Sequence, residues 1–349
     1  MVCIAAFIIL ALIGVFVAII SIFKPEVGKK YLKIFKKSWG CLWKKVRLQK
    51  CETGFKEDVK NTILSRVIVK HPKWVKPLSV VIEIVSVIIV VVAVWAILTA
   101  IKSLLALWAL GTCNVTKPAA CSFGAEVCSI DEQEPDSFWG GIGRWFTEWP
   151  EIFEAIPDKF KEYKAEDYNF NYIDGNPDIA DKPILVDILD PGCSVCLTSY
   201  NNQRNAGVFE NYSVRIVPYA IQDADGNYKF KNSALIVKYM FAAEQMRSGI
   251  AIKLLDYIFT RKNHDGYIYQ TMFNEDYSEE QARAKLEQWL GELDFDEEAI
   301  EEVRKIVDYP EIADKMQKNR EIVESELHAK GIPTTIYDGK KHTGLWKSE

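Results

Sequence analysis

The hydropathy pattern divides the chain into two regimes, with unbroken apolar runs in the first third and alternating or helically spaced apolar positions after it. Residues 2–23 are apolar throughout, a stretch of 22 residues, and about 20 suffice to cross the hydrocarbon core of a bilayer. No basic stretch precedes this run and Lys24 ends it abruptly, so it predicts an uncleaved span rather than a signal peptide. A second run covers 78–110, interrupted by Glu83 and Lys102, and its part from 84 to 101 carries no charge. Its Val and Ile content would suit a buried strand, but strands seldom exceed about ten residues. The run therefore predicts a second transmembrane helix, over about 84–104.

Beyond residue 111 the pattern becomes that of a folded domain. A connector over 111–136 contains Pro118 and Pro135, and Phe138 to Gly143 (FWGGIG) reads as a hinge. Residues 144–163 then place Trp145, Trp149, Ile152, Phe153, Ile156 and Phe160 at helical spacing, predicting an amphipathic helix that packs on a core or docks on a membrane. The Asn-, Asp- and Pro-rich stretch 169–182 predicts a loop. Residues 183–189 (PILVDIL) and 213–222 (SVRIVPYAIQ) read as buried strands, with a turn over 223–227. From about 231 to 330 the chain is almost wholly helical in pattern, with candidates at 233–247, 250–262, 278–293 and 296–307. A strand over 332–337, the turn Asp338-Gly339 and a partner strand over 340–347 complete the domain. The predicted architecture is two N-terminal transmembrane helices and an α/β domain over 181–349 with a helical insertion, joined by an exported connector over 112–180.

Charge orients this scheme. Residues 24–76 carry 16 Lys or Arg against 4 Asp or Glu, whereas 112–349 carry 26 against 43. By the positive-inside rule the basic loop is cytoplasmic. The expected location is the plasma membrane, in two passes, with the C-terminal domain on the extracytoplasmic side of a prokaryotic cell. Within the loop, residues 29–50 interleave lysines with Tyr31, Phe35, Trp39, Trp43 and Val46. That pattern suits an interfacial helix on anionic lipid, and the flanking spans favour a bilayer over nucleic acid as its partner.

The candidate chemistry lies in the cysteines, at positions 3, 41, 51, 113, 121, 128, 193 and 196. Cys193-Ser194-Val195-Cys196 follows a strand and opens a predicted helix over 194–205. Unsatisfied N–H groups and the macrodipole at a helix N-terminus favour a thiolate. Cys193, at the tip, is therefore the expected exposed nucleophile, and Cys196, one turn further on, the resolving thiol. A zinc site would need a second ligand pair, and the histidines are scattered singly, so no metal is expected. Asp187 interrupts an apolar strand six residues before Cys193. A buried carboxyl there would have a raised pKa and could accept the proton of Cys196. Gly331-Ile332-Pro333-Thr334 begins a strand with proline; a cis bond would leave the Ile332 backbone free to pair with an extended substrate. Cys113, Cys121 and Cys128 are expected to form one structural disulfide with a thiol left over, or to pair with Cys3. The alternative is a relay to the Cys193/Cys196 pair.

Two of these segments resemble a known family. ILVDILDPGCSVC (184–196) resembles the active-site strand and CxxC of thioredoxins, and IPTTIYDGKK (332–341) resembles their cis-proline strand and hairpin. The resemblance implies a thioredoxin-like fold, with Cys193 as nucleophile, Cys196 as resolving cysteine, Asp187 as buried acid and Pro333 as cis proline. Ile332, Thr334, Ser194 and Val195 would line the substrate groove. The roughly one hundred helical residues before Pro333 are similar to the insertion of the disulfide-bond protein A branch. The Ser-Val dipeptide and Pro191-Gly192 depart from that family's usual residues. The chain also ends at Glu349 without a closing helix, a place that 144–163 is expected to fill. The implied activity is protein thiol–disulfide exchange on exported cysteine-containing proteins, in the oxidising direction, with a membrane redox partner. No cofactor is expected beyond a Cys193–Cys196 disulfide. A binding or scaffold module without redox turnover, or an exported reductase, are the competing readings.

Overall fold

The structure is a computed structural model and describes residues 75–121, 126–130, 137–176, 182–223 and 225–346. The predicted first span, nearly all of the basic loop and Cys3, Cys41 and Cys51 lie outside the described residues. The chain divides into two units, Met1–Lys102 and Ser103–Glu349.

The long apolar run forms one helix, α1 (Val75–Leu110); many of its side chains before residue 95 lie outside the described set. Among the described residues no helix is long and apolar enough to cross a membrane. That finding overturns the two-span anchor and the two-pass plasma-membrane location. The last two turns of the run are also committed to protein packing. Ala106 and Ala109 are buried against Val115, Ile152 and Ala155, so they face side chains rather than lipid.

The second unit holds an α/β domain whose strand order and cis proline are those the thioredoxin resemblance implies. Its elements begin with β1 (Cys128–Ser129), α2 (Phe138–Glu154), β2 (Ile173–Asp174) and β3 (Ile184–Leu189). After these come α3 (Ser194–Asn205), α4 (Val208–Asn211) and β4 (Ser213–Pro218). The domain closes with β5 (Gly331–Ile332), β6 (Thr334–Tyr337) and β7 (Lys340–Thr343). The five-stranded sheet has the order β2-β4-β3-β6-β7. β3 and β4 run parallel, from Ile184 opposite Ser213 to Leu189 opposite Pro218, and β6 lies antiparallel on the other side of β3. A central strand flanked on both edges and covered on both faces reads as a near-continuous apolar run, and every residue of β3 after Ile184 is buried. Pro218 ends β4 four residues earlier than the apolar pattern suggests, consistent with its lack of an N–H to donate. Asp338 and Gly339, both at positive φ, make the tight turn between β6 and β7 that an Asp-Gly pair favours.

The insertion between β4 and β5 is helical, as the periodicity predicts: α5 (Ser233–Met246), α6 (Ile250–Thr260), α7 (Tyr269–Glu275), α8 (Glu279–Glu292), α9 (Glu297–Val307) and α10 (Pro310–Glu321). Its boundaries follow the caps. Ser278 and Gln281 form a reciprocal capping box at α8, and the Asp296 carboxylate accepts the Ala299 N–H at 2.8 Å at α9. Trp289, fully buried, is ringed by Tyr257, Tyr269 and Phe273. The expected hinge at 138–143 is instead the start of α2, capped by Ser137. α2 stops at Glu154, ahead of Pro157, rather than at Tyr163. It is tied to the domain by an ion pair from Lys330 to Glu151 at 2.9 Å, and the Tyr163 N–H donates to Gly339 O at 2.9 Å.

Candidate active site

The C-terminal end of β3 delivers the chain into Asp190-Pro191-Gly192 and then α3, with Cys193 as its N-cap. The Cys196 N–H donates to Cys193 Sγ at 3.4 Å, so the sulfur takes one of the helix's free donors, as a capping oxygen would. Ser194 is exposed and Val195 half-buried on the first turn, while Cys193 and Cys196 are both fully buried. The burial of Cys193 corrects the expectation of an exposed sulfur at the helix tip.

Its cause is β1. Cys193 is disulfide-bonded to Cys128, and Cys196 is a free, buried thiol. The bond expected between Cys193 and Cys196 is therefore not the one present, and Cys128 is not a leftover thiol. Cys113 and Cys121 form the structural disulfide of the connector. β1 pairs antiparallel with β5, placing Cys128 opposite Ile332 and Ser129 opposite Gly331. Ile332, expected to present a free backbone to substrate, is thus already paired. The Ile332–Pro333 bond is cis, as the family resemblance implies, although residue order alone favours the commoner trans form. Ile332 and Thr334 are fully buried, and the Thr334 hydroxyl donates to Gly331 O at 2.7 Å.

Asp187 lies mid-strand in β3 and is 1% exposed. Gln203 Nε2 of α3 donates to Asp187 Oδ2 at 2.9 Å, leaving Oδ1 buried without a hydrogen-bond partner. Burial pushes the carboxyl up to about 7, and the Gln203 contact offsets part of that rise. Burial also raises the Cys196 thiol well above its ordinary value. The Asp190 N–H, which donates to Cys196 Sγ at 3.5 Å, works against that rise, and the charges of Asp190 and Asp187 add to it. Both groups are buried, and the charge of Asp187 is among those that disfavour a thiolate at Cys196.

Sequence reasoning missed the second buried acid and the clamp on the loop. Asp190, which follows β3 directly, is fully buried. It accepts the Gly192 N–H at 2.7 Å, the Ile221 N–H at 2.8 Å and the Ser233 hydroxyl. Burial raises it to about 6 against these hydrogen bonds. From α7, Gln270 Nε2 donates to Pro191 O at 2.8 Å and Cys193 O at 3.0 Å, and Asn274 Nδ2 donates to Gly192 O at 2.7 Å. The insertion therefore holds the three carbonyls that lead into the cysteines. Gly192 is required there, because a Cβ would lie 2.4 Å from the Phe230 Cβ. The polar residues of the insertion gave no local signal of this role. Among the described residues no cluster of metal-ligating side chains occurs.

No family model matches the chain, and none of the curated proteins does. Among solved structures it is similar to the thiol-disulfide exchange protein alpha-DsbA2 of Wolbachia pipientis, at 15% identity and TM-score 0.36, covering 51% of this chain and 82% of that one. It is similar also to MdbA, a thiol-disulfide oxidoreductase of Corynebacterium diphtheriae, at 14% identity and TM-score 0.35, covering 51% and 92%. A third is the cytosolic disulfide reductase DsbM of Pseudomonas aeruginosa, at 18% identity and TM-score 0.33, covering 46% and 87%.

Proposed function

We propose that the protein is a thiol–disulfide oxidoreductase in which Cys193 exchanges with cysteines of client proteins and Cys196 resolves the mixed disulfide. One observation carries this reading: Cys193, at a helix N-terminus, is held in a disulfide to an extended strand, while Cys196 waits one turn away as a free thiol. That is the geometry of a mixed disulfide with its resolving sulfur in place. Asp187 is the proton acceptor for Cys196. Ser194, Val195, Ile332 and Thr334 border the groove, with Pro333 at its base. The Cys113–Cys121 bond favours an oxidising compartment, and oxidation of clients is the direction that suits such a compartment. The exchange needs no cofactor.

The test is trapping of scrambled, disulfide-containing ribonuclease by the reduced protein on non-reducing electrophoresis, where the Cys193 thiolate attacks a ribonuclease disulfide and the displaced sulfur stays on the ribonuclease. In a chain that also carries Cys128→Ser, Cys196→Ala should accumulate covalent, reductant-sensitive complexes, because neither sulfur that faces Cys193 remains to break them. Cys193→Ala should form few. Equal trapping by both would refute the assigned order. A scaffold module without turnover is the second reading, favoured by the complete burial of Cys193, and trapping by neither variant would support it.

A further inference from the structure

We propose that residues 126–130 are a client carried within the chain: they fill the peptide groove of the candidate site, and Cys128 is a third redox cysteine that exchanges with Cys193. This rests on the proposed oxidoreductase reading and says what substrate its groove takes. Four observations converge. Cys128 is bonded to Cys193 rather than to either of its connector neighbours. The strand it sits on pairs with Gly331–Ile332, directly before Pro333. That pairing is extended by Ile130 N–H donating to Lys330 O at 3.1 Å and Leu345 N–H donating to Glu126 O at 3.2 Å. Val127, Cys128, Ser129 and Ile130 are all buried, as a bound peptide's central residues would be. Finally, Gly331 has room for Val127 through its missing side chain, since a Cβ there would lie 2.9 Å from the Val127 Cβ.

The exchange balances within the chain. Cys196 Sγ, as thiolate, attacks Cys193 Sγ. The Cys193–Cys128 bond breaks, its electron pair leaves on Cys128, and a Cys193–Cys196 disulfide forms. One disulfide is consumed and one made, and the proton lost by Cys196 is matched by one gained at Cys128. A client thiolate attacking Cys193 displaces Cys128 in the same way. The tethered strand also describes the preferred client: an extended segment with a β-branched residue before its cysteine, set against Gly331, and a small hydroxyl residue after it.

Peptide mapping of the full chain, alkylated under non-reducing denaturing conditions, tests the linkage. The peptide bearing Cys128 should be joined to that bearing Cys193, with Cys196 alkylated. Cys128→Ser should instead hold Cys193 and Cys196 in one peptide. A second measurement is the extent to which a thiol peptide copying Glu-Val-Cys-Ser-Ile displaces Cys128 from Cys193 in Cys196→Ala. A tethered competitor acts at an effective concentration of about 1 mM. In Cys196→Ala, where only Cys128 competes, about 0.1 mM peptide should therefore occupy about one-tenth of Cys193 at equilibrium. Absence of the linked peptide, or near-complete occupation of Cys193 at about 0.1 mM peptide, overturns the inference. If it fails while Cys193 still traps ribonuclease, the oxidoreductase reading stands; if no variant forms a disulfide with peptide or ribonuclease, that reading falls as well.

Discussion

Asp187 and Asp190 set how the protein responds to acid. Their carboxyls titrate at about 7 and about 6 in the folded protein, against about 4 in an unfolded chain. Between those limits each of the two binds more protons in the folded state than in the unfolded one, so their contribution to stability is full below about pH 4 and is lost as pH rises to 7. A three-unit shift at a buried carboxyl corresponds to something on the order of 4 kcal/mol. Asp187→Asn conserves volume and removes one of the two titrations. Denaturant unfolding across pH 4–8 should then show a shallower decline and a chain more stable at pH 8, by a few kcal/mol at most. The same change should slow disulfide exchange near neutrality by about tenfold or more, because the proton acceptor is lost. An unaltered pH slope would mean that Asp187 is solvated, and an unaltered rate would leave it a structural role alone.

Strands β1 and β5 and helix α7 decide access to the sulfurs. Gly331→Ala places a Cβ against Val127 and should push β1 out of the groove. Peptide mapping should then find Cys193 bonded to Cys196, and Val127→Gly in the same chain should restore the bond to Cys128. A persistent Cys128–Cys193 bond in Gly331→Ala would show that β1 adjusts without leaving. On the opposite side of the loop, Gly192→Ala has to move Phe230 and disturb the Asn274 contact. Overpacking of that kind costs about 1–3 kcal/mol, which a shift in urea midpoint would register.

The insertion and the sheet form one cooperative core, running from β3 and β4 through α5 and α6 to Trp289. Trp289 packs on Tyr269 and Phe273 of α7, the helix whose Gln270 and Asn274 hold the redox loop. Trp289→Ala should cost about 3–5 kcal/mol. It should also raise the alkylation rate of Cys196, because loss of the ring loosens the clamp on Pro191, Gly192 and Cys193. A destabilised chain whose Cys196 stays as protected as before would separate the two roles.

Short-range chemistry explains what residue order already contained. The strand 184–189, the helix opening at Ser194, the Asp-Gly hairpin and the capped helices α8 and α9 rest on apolar period, turn residues and caps within a few positions of one another. Asp187 was readable for the same reason, since one charge inside an apolar strand stands out locally. The partner of Cys193 was not, because Cys128 lies 65 residues away and only the docking of β1 on β5 brings the two sulfurs together. Asp190 is buried only because Ile221 and Ser233 enclose it, and Gln270 and Asn274 became a clamp only when α7 packed over the loop. The reading of the second apolar run as a span failed on the same ground. Hydropathy counts what a segment could bury, whereas Ala106 and Ala109 bury against Val115, Ile152 and Ala155, and that choice is made by the neighbours a folded chain supplies.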